Sequence, residues 1–375
     1  MRVFCTTILL LGTGCLGDDN RPQIDDPLVP EMDGIGEFGE LVPVHGVHRV
    51  AAVCDQRAWD ILPDTKHLDV AVVQTSTGAS VFGVPKAGGA VRGFRVDQRG
   101  DAFDRDVTTI RDDRNYTAVS ASVAAGRLVV ASVVDDKIAI DIVRDDLGAV
   151  HGLGDVSGSL ATDVPMITSR DQQVALVGGP FGVFANGFTG ATWATTGETA
   201  VTKSSITSLT STKYLDDAVF AWSTDTKECN LQHFATGSTS TRKFGCEGAR
   251  ISMNETDARG MLVFEEAGNV FRSNIYLGGG DELQVKVPVA EIARSPRVVF
   301  DGTYHWVSYI DARGDVVVGF VDERGNLVSR ALEGTAPAEN DAYDLAVFAN
   351  GVWVVGVNDD GFGAQRMCIQ DKLDQ

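Results

Sequence analysis

Acidic residues at the ends of short apolar runs are the side chains of this sequence best suited to chemistry. The stretch Asp311-Ala312-Arg313-Gly314-Asp315 follows one such run, and similar turns recur along the chain. If they converge in space, such carboxylates bind cations or a basic partner, and a pair of them can act as acid and base on a glycan. Asp and Gly are also favoured at hairpin corners for conformational reasons alone, so both interpretations stay open. The candidate ligand-face acids are Asp135, Asp136, Asp311, Asp359 and Asp360.

A second candidate is the stretch at 97–115, DQRGDAFDRDVTTIRDDRN, which lies between two apolar segments. It mixes arginines with aspartates, and we expect it to be a recognition loop on the same face as the acidic turns. Arg105 and Arg111 are its candidate ligand-face residues.

Motifs of well-characterised enzyme classes are missing from the sequence. It contains no G-x-S-x-G, H-E-x-x-H, P-loop or EF-hand pattern. The six histidines are scattered, and His45 and His48 lie three apart on a predicted extended segment, which points them to opposite faces. The sequence therefore predicts no catalytic residue, no cofactor and no cofactor-binding residue, and leaves metal ligands unknown.

The acidic turns belong to a repeated unit of apolar strand, turn and second strand. Four copies begin at Gly126, Gly260, Gly302 and Gly351, each preceded by a shorter β-prone run, and three further segments fit more loosely. A spacing of roughly 40–50 residues is the period of propeller blades rather than of helical solenoids. Because no stretch carries a helical apolar period over three turns, the sequence predicts an all-β fold.

The pattern resembles that of β-propellers over about residues 39–372, without the blade motifs of the WD, kelch or sialidase families. We expect seven four-stranded blades, with six or eight as alternatives, and Trp306 and Trp353 as inter-blade packing residues. The last blade has no clear fourth strand, so residues 39–47 are predicted to supply it and close the ring. The predicted blades lie at about 47–98, 116–156, 165–200, 204–248, 250–290, 294–334 and 341–371.

Cysteine usage points to export. Four cysteines remain in the predicted body, and an even number in an exported chain favours disulfides. Three pairings are possible. Cys229 and Cys246 lie close in sequence at the ends of a predicted hairpin, which leaves Cys54 and Cys368 to join the beginning of the chain to its end.

The first residues predict how the protein is exported. Arg2, an apolar stretch and small residues form a signal peptide at 1–14, and the sequence LLGTGC resembles the lipobox of bacterial lipoproteins, with Gly12 where an aliphatic residue is usual. The resemblance implies lipidation of Cys15. Leu16, in place of an aspartate after the cysteine, implies the outer membrane.

Composition limits the partners. Residues 15–38 carry seven acids and three prolines without periodicity and are predicted to be a disordered tether, followed by one propeller domain at 39–375. The formal net charge of −20 disfavours binding to nucleic acid and to an anionic membrane surface, so no nucleic-acid partner is expected and contact with the membrane is expected through the lipid anchor only. The sequence favours a binding or scaffold propeller that presents one loop face to a protein or glycan partner. The alternative is an exported hydrolase or lyase that acts on glycans; the oligomeric state is not predicted.

Overall fold

The computed structural model describes most of the propeller body. The described residues are 47–59, 67–85, 89–103, 107–169, 172–189, 193–234, 236–237, 239–278, 282–332, 342–358 and 361–373. The predicted signal peptide, Cys15, the acidic tether and nearly all of the predicted strand at 39–47 lie outside them.

The described chain forms seven antiparallel sheets, one for each blade of a β-propeller. Blade 1 comprises β2 (His67–Thr75), β3 (Gly78–Pro85), β4 (Val91–Asp97) and β5 (Thr108–Arg111). Blade 2 comprises β6 (Ala118–Ala124), β7 (Arg127–Val134), β8 (Lys137–Val143) and β9 (Val150–Ser157). Blade 3 comprises β10 (Leu160–Ala161), β11 (Ile167–Ser169), β12 (Gln172–Gly179), β13 (Gly182–Thr189) and β14 (Ala194–Thr202).

The remaining four blades follow in chain order. Blade 4 comprises β15 (Ile206–Tyr214), β16 (Asp217–Thr224), β17 (Cys229–His233) and β18 (Thr239–Arg242). Blade 5 comprises β19 (Glu247–Asn254), β20 (Arg259–Glu266), β21 (Asn269–Tyr276) and β22 (Val287–Ala290). Blade 6 comprises β23 (Arg294–Phe300), β24 (His305–Ile310), β25 (Val316–Val321) and β26 (Leu327–Ala331). Blade 7 comprises β27 (Tyr343–Phe348), β28 (Gly351–Asn358), β29 (Gly361–Leu373) and β1 (Val47–Trp59).

The prediction of seven four-stranded blades is confirmed, with one local variation. In blade 3, β10 and β11 both pair with β12, so they are two pieces of one interrupted inner strand. The other six sheets have four strands each.

Burial explains why the second strand of a blade is a continuous apolar run. Every residue of β3 is buried, as is every residue of β7 after the first, because both faces of these strands pack against neighbouring blades. Outer strands such as β9 and β14 are largely exposed and polar. Trp306 packs in a cluster between blades 6 and 7, and Trp353 in one between blades 7 and 1, which confirms their predicted role.

The first strand of the chain closes the ring, at a position different from the one predicted. Strand β1 pairs along its length with β29, from Val47 opposite Leu373 to Trp59 opposite Phe362. The prediction that blade 1 covers about 47–98 is therefore wrong: blade 1 runs from His67 to the end of β5 at Arg111, and the segment assigned to its start is the outer strand of blade 7. The reason is that β29 is long enough to offer β1 a complete hydrogen-bonding edge.

Both predicted disulfides are present. Cys54 joins Cys368 across β1 and β29, within the closing blade rather than between blades 1 and 7. Cys229 joins Cys246 and ties the third strand of blade 4 to the connection into blade 5, where both residues are fully buried.

The meander defines two faces. The upper face carries the turns between the second and third strands and the connections between blades. The lower face carries the turns between the first and second strands and between the third and fourth strands.

Candidate functional site

The predicted ligand-face acids that the structure describes lie on the upper face and have ordinary turn contacts. Asp135 and Asp136 are exposed in the turn between β7 and β8, where Asp135 has a φ of 51°. Asp311 accepts hydrogen bonds from the backbone amides of Arg313, at 2.8 Å, and Asp315, at 3.0 Å. Burial opposes these bonds, but together they lower the pKa of Asp311. The other predicted ligand-face residues, Asp359, Asp360 and Arg105, lie outside the described residues.

The turn at Asp311 occurs three times in the described chain. Asp97 and Asp322 accept amide hydrogen bonds from the second and fourth residues after them, as Asp311 does. In each turn, the third residue after the aspartate is a glycine with positive φ, between 81° and 89°. These carboxylates satisfy their own backbone, as expected of turn residues.

The described residues of the predicted recognition loop, 97–103 and 107–115, are largely built into the propeller, and the prediction that the whole loop lies on the upper face is wrong, because residues 97–103 follow the third strand of blade 1 on the lower face. The loop begins with the turn at Asp97, continues to the outer strand β5, and contains Arg111 at the end of that strand. Arg111 forms a bidentate ion pair with Asp141 of blade 2, with N–O distances of 2.9 to 3.1 Å, and the carboxylate of Asp141 is completely buried. The structure therefore places Arg111 in a contact that holds blade 1 against blade 2.

Charged residues on the inner strands form a second polar region around the propeller axis. Asp69 of blade 1 accepts a hydrogen bond from the Val119 amide of blade 2, at 3.0 Å. Asp344 of blade 7 accepts one from the Val72 amide of blade 1, at 2.8 Å. Burial raises the pKa of Asp69, and it raises the pKa of Asp344 to about 6.

The same axial region contains two arginines. Arg250 of blade 5 pairs with Asp163 of blade 3 at 2.9 Å, and the other oxygen of Asp163 accepts a hydrogen bond from the Thr210 hydroxyl of blade 4. Arg297 of blade 6 lies 3.9 Å from Asp344. Each described axial carboxylate thus has a partner on another blade, and these contacts link the blades around the axis.

A groove of about 400 Å³ opens on the lower face between blades 5 and 6. Its walls come from the turn and strand around Arg259, from strand β21, and from the two lower turns of blade 6. The aromatic residues Tyr276, Phe300 and Tyr304 line it together with polar side chains.

Arg272 is the most deeply buried charge of the groove. The residue is 6% exposed and projects from β21. Its guanidinium donates to the Asn274 side-chain oxygen at 2.9 Å and to the Gly325 carbonyl of blade 6 at 2.5 Å. Gly325 has a φ of 81°, and this turn conformation aims its carbonyl at blade 5. Burial lowers the pKa of Arg272, although the nearby Tyr276 and Asp322 act in the opposite direction; no carboxylate of the described chain lies at ion-pair distance from its guanidinium.

His305 lines the same groove at the start of β24. Its Nε2 atom is buried and has no hydrogen-bond partner, and its ring lies 4.8 Å from that of Phe300. Burial lowers its pKa to about 4, although a hydrogen bond to the backbone of Ser252 acts in the opposite direction. The groove therefore combines a buried cation with an unsatisfied ring nitrogen.

The sequence analysis missed both groove residues. Arg272 interrupts the apolar pattern of a third strand, and this irregularity was an available signal. His305 offered none, because the isolation of its Nε2 depends on packing between blades. Among the residues described, no group of His, Cys, Asp and Glu side chains is arranged to hold a metal ion. The same part of the chain also contains no helix of the length and apolarity needed to cross a membrane.

Comparisons with known proteins support the fold. No protein-family model and no curated protein matches the chain. Among solved structures, it is similar to BamB from Moraxella catarrhalis, with a TM-score of 0.52 and 12% sequence identity; the alignment covers 86% of this chain and 100% of that one. At this identity the likeness shows the fold alone: the body of this protein is a β-propeller similar to that of BamB.

Proposed function

We propose that the protein is a cell-envelope lipoprotein whose propeller binds or scaffolds a protein partner through the lower-face groove. The observation that carries this proposal is the groove itself, where Arg272 and His305 retain binding capacity that the fold does not use. The two disulfides support an exported location, since such bonds persist in oxidising compartments.

The axial region supports binding over glycan chemistry. A glycosidase needs two carboxylates that are free to act on the substrate. Asp69 and Asp344 instead accept backbone hydrogen bonds across blade boundaries, and Asp163 is paired with Arg250. These contacts occupy the carboxylates at the blade boundaries, so the proposal assigns them to ring assembly.

The lipid anchor is tested by fractionation. Cys15 ends the lipobox-like sequence and lies outside the described residues, so Cys15→Ser is expected to move the protein from the membrane fraction to the soluble one. Cys5→Ser, within the signal peptide, is the matched control and should fractionate like the parent. Membrane retention of the Cys15 variant would contradict lipid anchoring.

The binding function is tested by affinity capture. Tagged protein that is cross-linked in intact cells and then purified should carry a protein partner in a fixed molar ratio. The purified protein should not cleave polysaccharides of the same envelope, either by hydrolysis or by a lyase-type elimination. Glycan cleavage that is lost in Asp69→Asn or Asp344→Asn, with the fold retained, would favour the enzyme instead.

A further inference from the structure

In the described chain, Arg272 lacks the carboxylate partner that would complete an ion pair. Its guanidinium is buried between two blades, and both of its hydrogen-bond acceptors, the Asn274 amide oxygen and the Gly325 carbonyl, are neutral. A buried charge is costly unless a counter-charge compensates it. Within the described chain no carboxylate stands at ion-pair distance from this guanidinium. The missing counter-charge can therefore come from a ligand that enters the groove.

His305 adds a second requirement for the ligand. The backbone of Ser252 is the hydrogen-bond partner that supports the ring's protonated nitrogen, so in the neutral ring the buried Nε2 is an acceptor. A ligand that satisfies both groups carries an anion for Arg272 and an N–H or O–H donor for His305. An acidic residue in a polypeptide offers this combination, because its carboxylate lies a few bonds from a backbone amide.

The rim of the groove limits the charge of the ligand. Asp257, Asp322 and Glu323 line the groove alongside Arg259 and Arg324, so the surroundings of Arg272 are nearly neutral in a chain of net charge −20. An acidic polysaccharide, a nucleic acid or an anionic lipid surface repeats its charges at short intervals and would place further anions against these acids. A polypeptide can present one isolated carboxylate flanked by neutral residues.

We propose that the groove between blades 5 and 6 binds a single carboxylate side chain of an extended polypeptide, which pairs with Arg272 while a peptide N–H donates to His305 Nε2. The aromatic residues Phe300 and Tyr304 contact the apolar part of the bound segment. This inference rests on the proposed function, since it names the chemistry by which the propeller recognises its partner.

The test uses fluorescence anisotropy with the full-length protein and a labelled heptapeptide that has one central Glu flanked by Ser, Gly and Ala. We expect this peptide to bind and its Gln counterpart to bind at least tenfold more weakly. Arg272→Met should reduce binding of the Glu peptide at least tenfold, and His305→Phe several-fold. Arg313→Gln is the matched control, because Arg313 is an exposed arginine in the equivalent turn of the upper face, and it should bind like the parent.

The comparison of the Glu and Gln peptides on the unaltered protein needs no variant and stands even if Arg272→Met fails to fold. Equal binding of the two peptides, or no binding of either, overturns the inference. Tighter binding of an oligogalacturonate than of the Glu peptide also overturns it, in favour of an acidic glycan. If Arg272→Met is folded and still captures the partner as the parent does, the proposed binding function survives and only the groove assignment fails.

Discussion

The upper-face turn at Asp311 and the lower-face groove differ in how completely their polar groups are satisfied. On the upper face, Asp311 accepts two amide hydrogen bonds from its own turn. On the lower face, Arg272 has only neutral partners and His305 Nε2 has none. The acids are conspicuous in the sequence, but the structure uses them to make turns. The groove residues are inconspicuous in the sequence. In the structure, Arg272 has no carboxylate partner within the described chain, and His305 Nε2 has no hydrogen-bond donor.

This contrast shows that a charged side chain is available to a ligand only if its own fold does not already satisfy it. A carboxylate that is already engaged by its own backbone loses part of that stabilisation when it turns to a ligand. A buried guanidinium without a counter-ion gains from a ligand, because the desolvation cost has already been met in folding. The lower-face groove is therefore the better candidate for recognition, even in a strongly acidic protein.

The largest expected effect concerns Arg111, which the sequence assigned to recognition and the structure assigns to blade contact. Arg111→Met leaves the buried Asp141 carboxylate without its partner, and breaking a buried pair in this way costs about 3–5 kcal/mol. Urea unfolding monitored by fluorescence measures the loss. Arg144→Met removes an exposed pair with Asp146 on the same blade and should leave the unfolding free energy close to that of the parent.

If Arg111→Met changes the free energy of unfolding only slightly but abolishes partner capture, the comparison between Arg111 and the groove is reversed. That result would return Arg111 to the recognition surface and show that the contact with Asp141 contributes little to the fold.

A second prediction concerns the pH dependence of stability through His305. Its folded pKa, about 4, is below the ordinary value of 6.5, so the folded state binds the proton less tightly than the unfolded state. The unfolding free energy therefore falls as the pH drops below 6.5, and the loss is complete below about pH 4, where it reaches about 3 kcal/mol. His305→Phe should remove this part of the slope, measured by urea unfolding at intervals between pH 4 and pH 7.

His151 provides the control for that measurement, because it is exposed on the outer strand of blade 2. His151→Phe measures the general effect of replacing an exposed histidine by an aromatic residue, against which the effect of His305→Phe is compared. An unchanged slope in His305→Phe would mean that the groove is hydrated enough to accommodate the charged ring, and the contrast between the two faces would weaken.

The smallest expected effect concerns the acids of the upper face. Replacing Asp135, Asp136 and Asp311 by Asn keeps most of the turn preference, so the stability change per site should stay within about 0.5 kcal/mol. Partner capture should also be unchanged at low and moderate salt. If capture falls in the triple variant and the difference disappears as salt is added, the acids form an electronegative rim for a cationic partner.

Much of the architecture could be predicted because each blade is a local meander with its own turn signals. Blade 6 was predicted at about 294–334, and its observed strands run from Arg294 to Ala331. Ring closure was misplaced because β1 has the same strand pattern whether it begins blade 1 or ends blade 7. That choice is made by pairing with β29, more than 300 residues away, and no local pattern encodes it.

The candidate site was harder to predict for a related reason. Turn acids are visible in sequence because turns are local, whereas the groove is assembled from β21 of one blade and the turns of the next. Whether Arg272 meets a carboxylate or a carbonyl depends on the conformation of Gly325 in blade 6. The burial of His305 Nε2 depends likewise on its neighbours in space, and only the structure shows it.

Ring closure by the first strand has a consequence for the order of assembly during synthesis and export. Among the described strands β1 is synthesised first, whereas its hydrogen-bonding partner β29 is synthesised last, and the cysteines that join them are 314 residues apart in sequence. Such a distant pairing has a high entropic cost and forms late in folding. Until then, β1 and the outer edge of β29 are both unpaired and open to association with other chains. Formation of the disulfide between Cys54 and Cys368 can therefore fix β1 against β29 and end the period in which the newly made ring is able to misassemble.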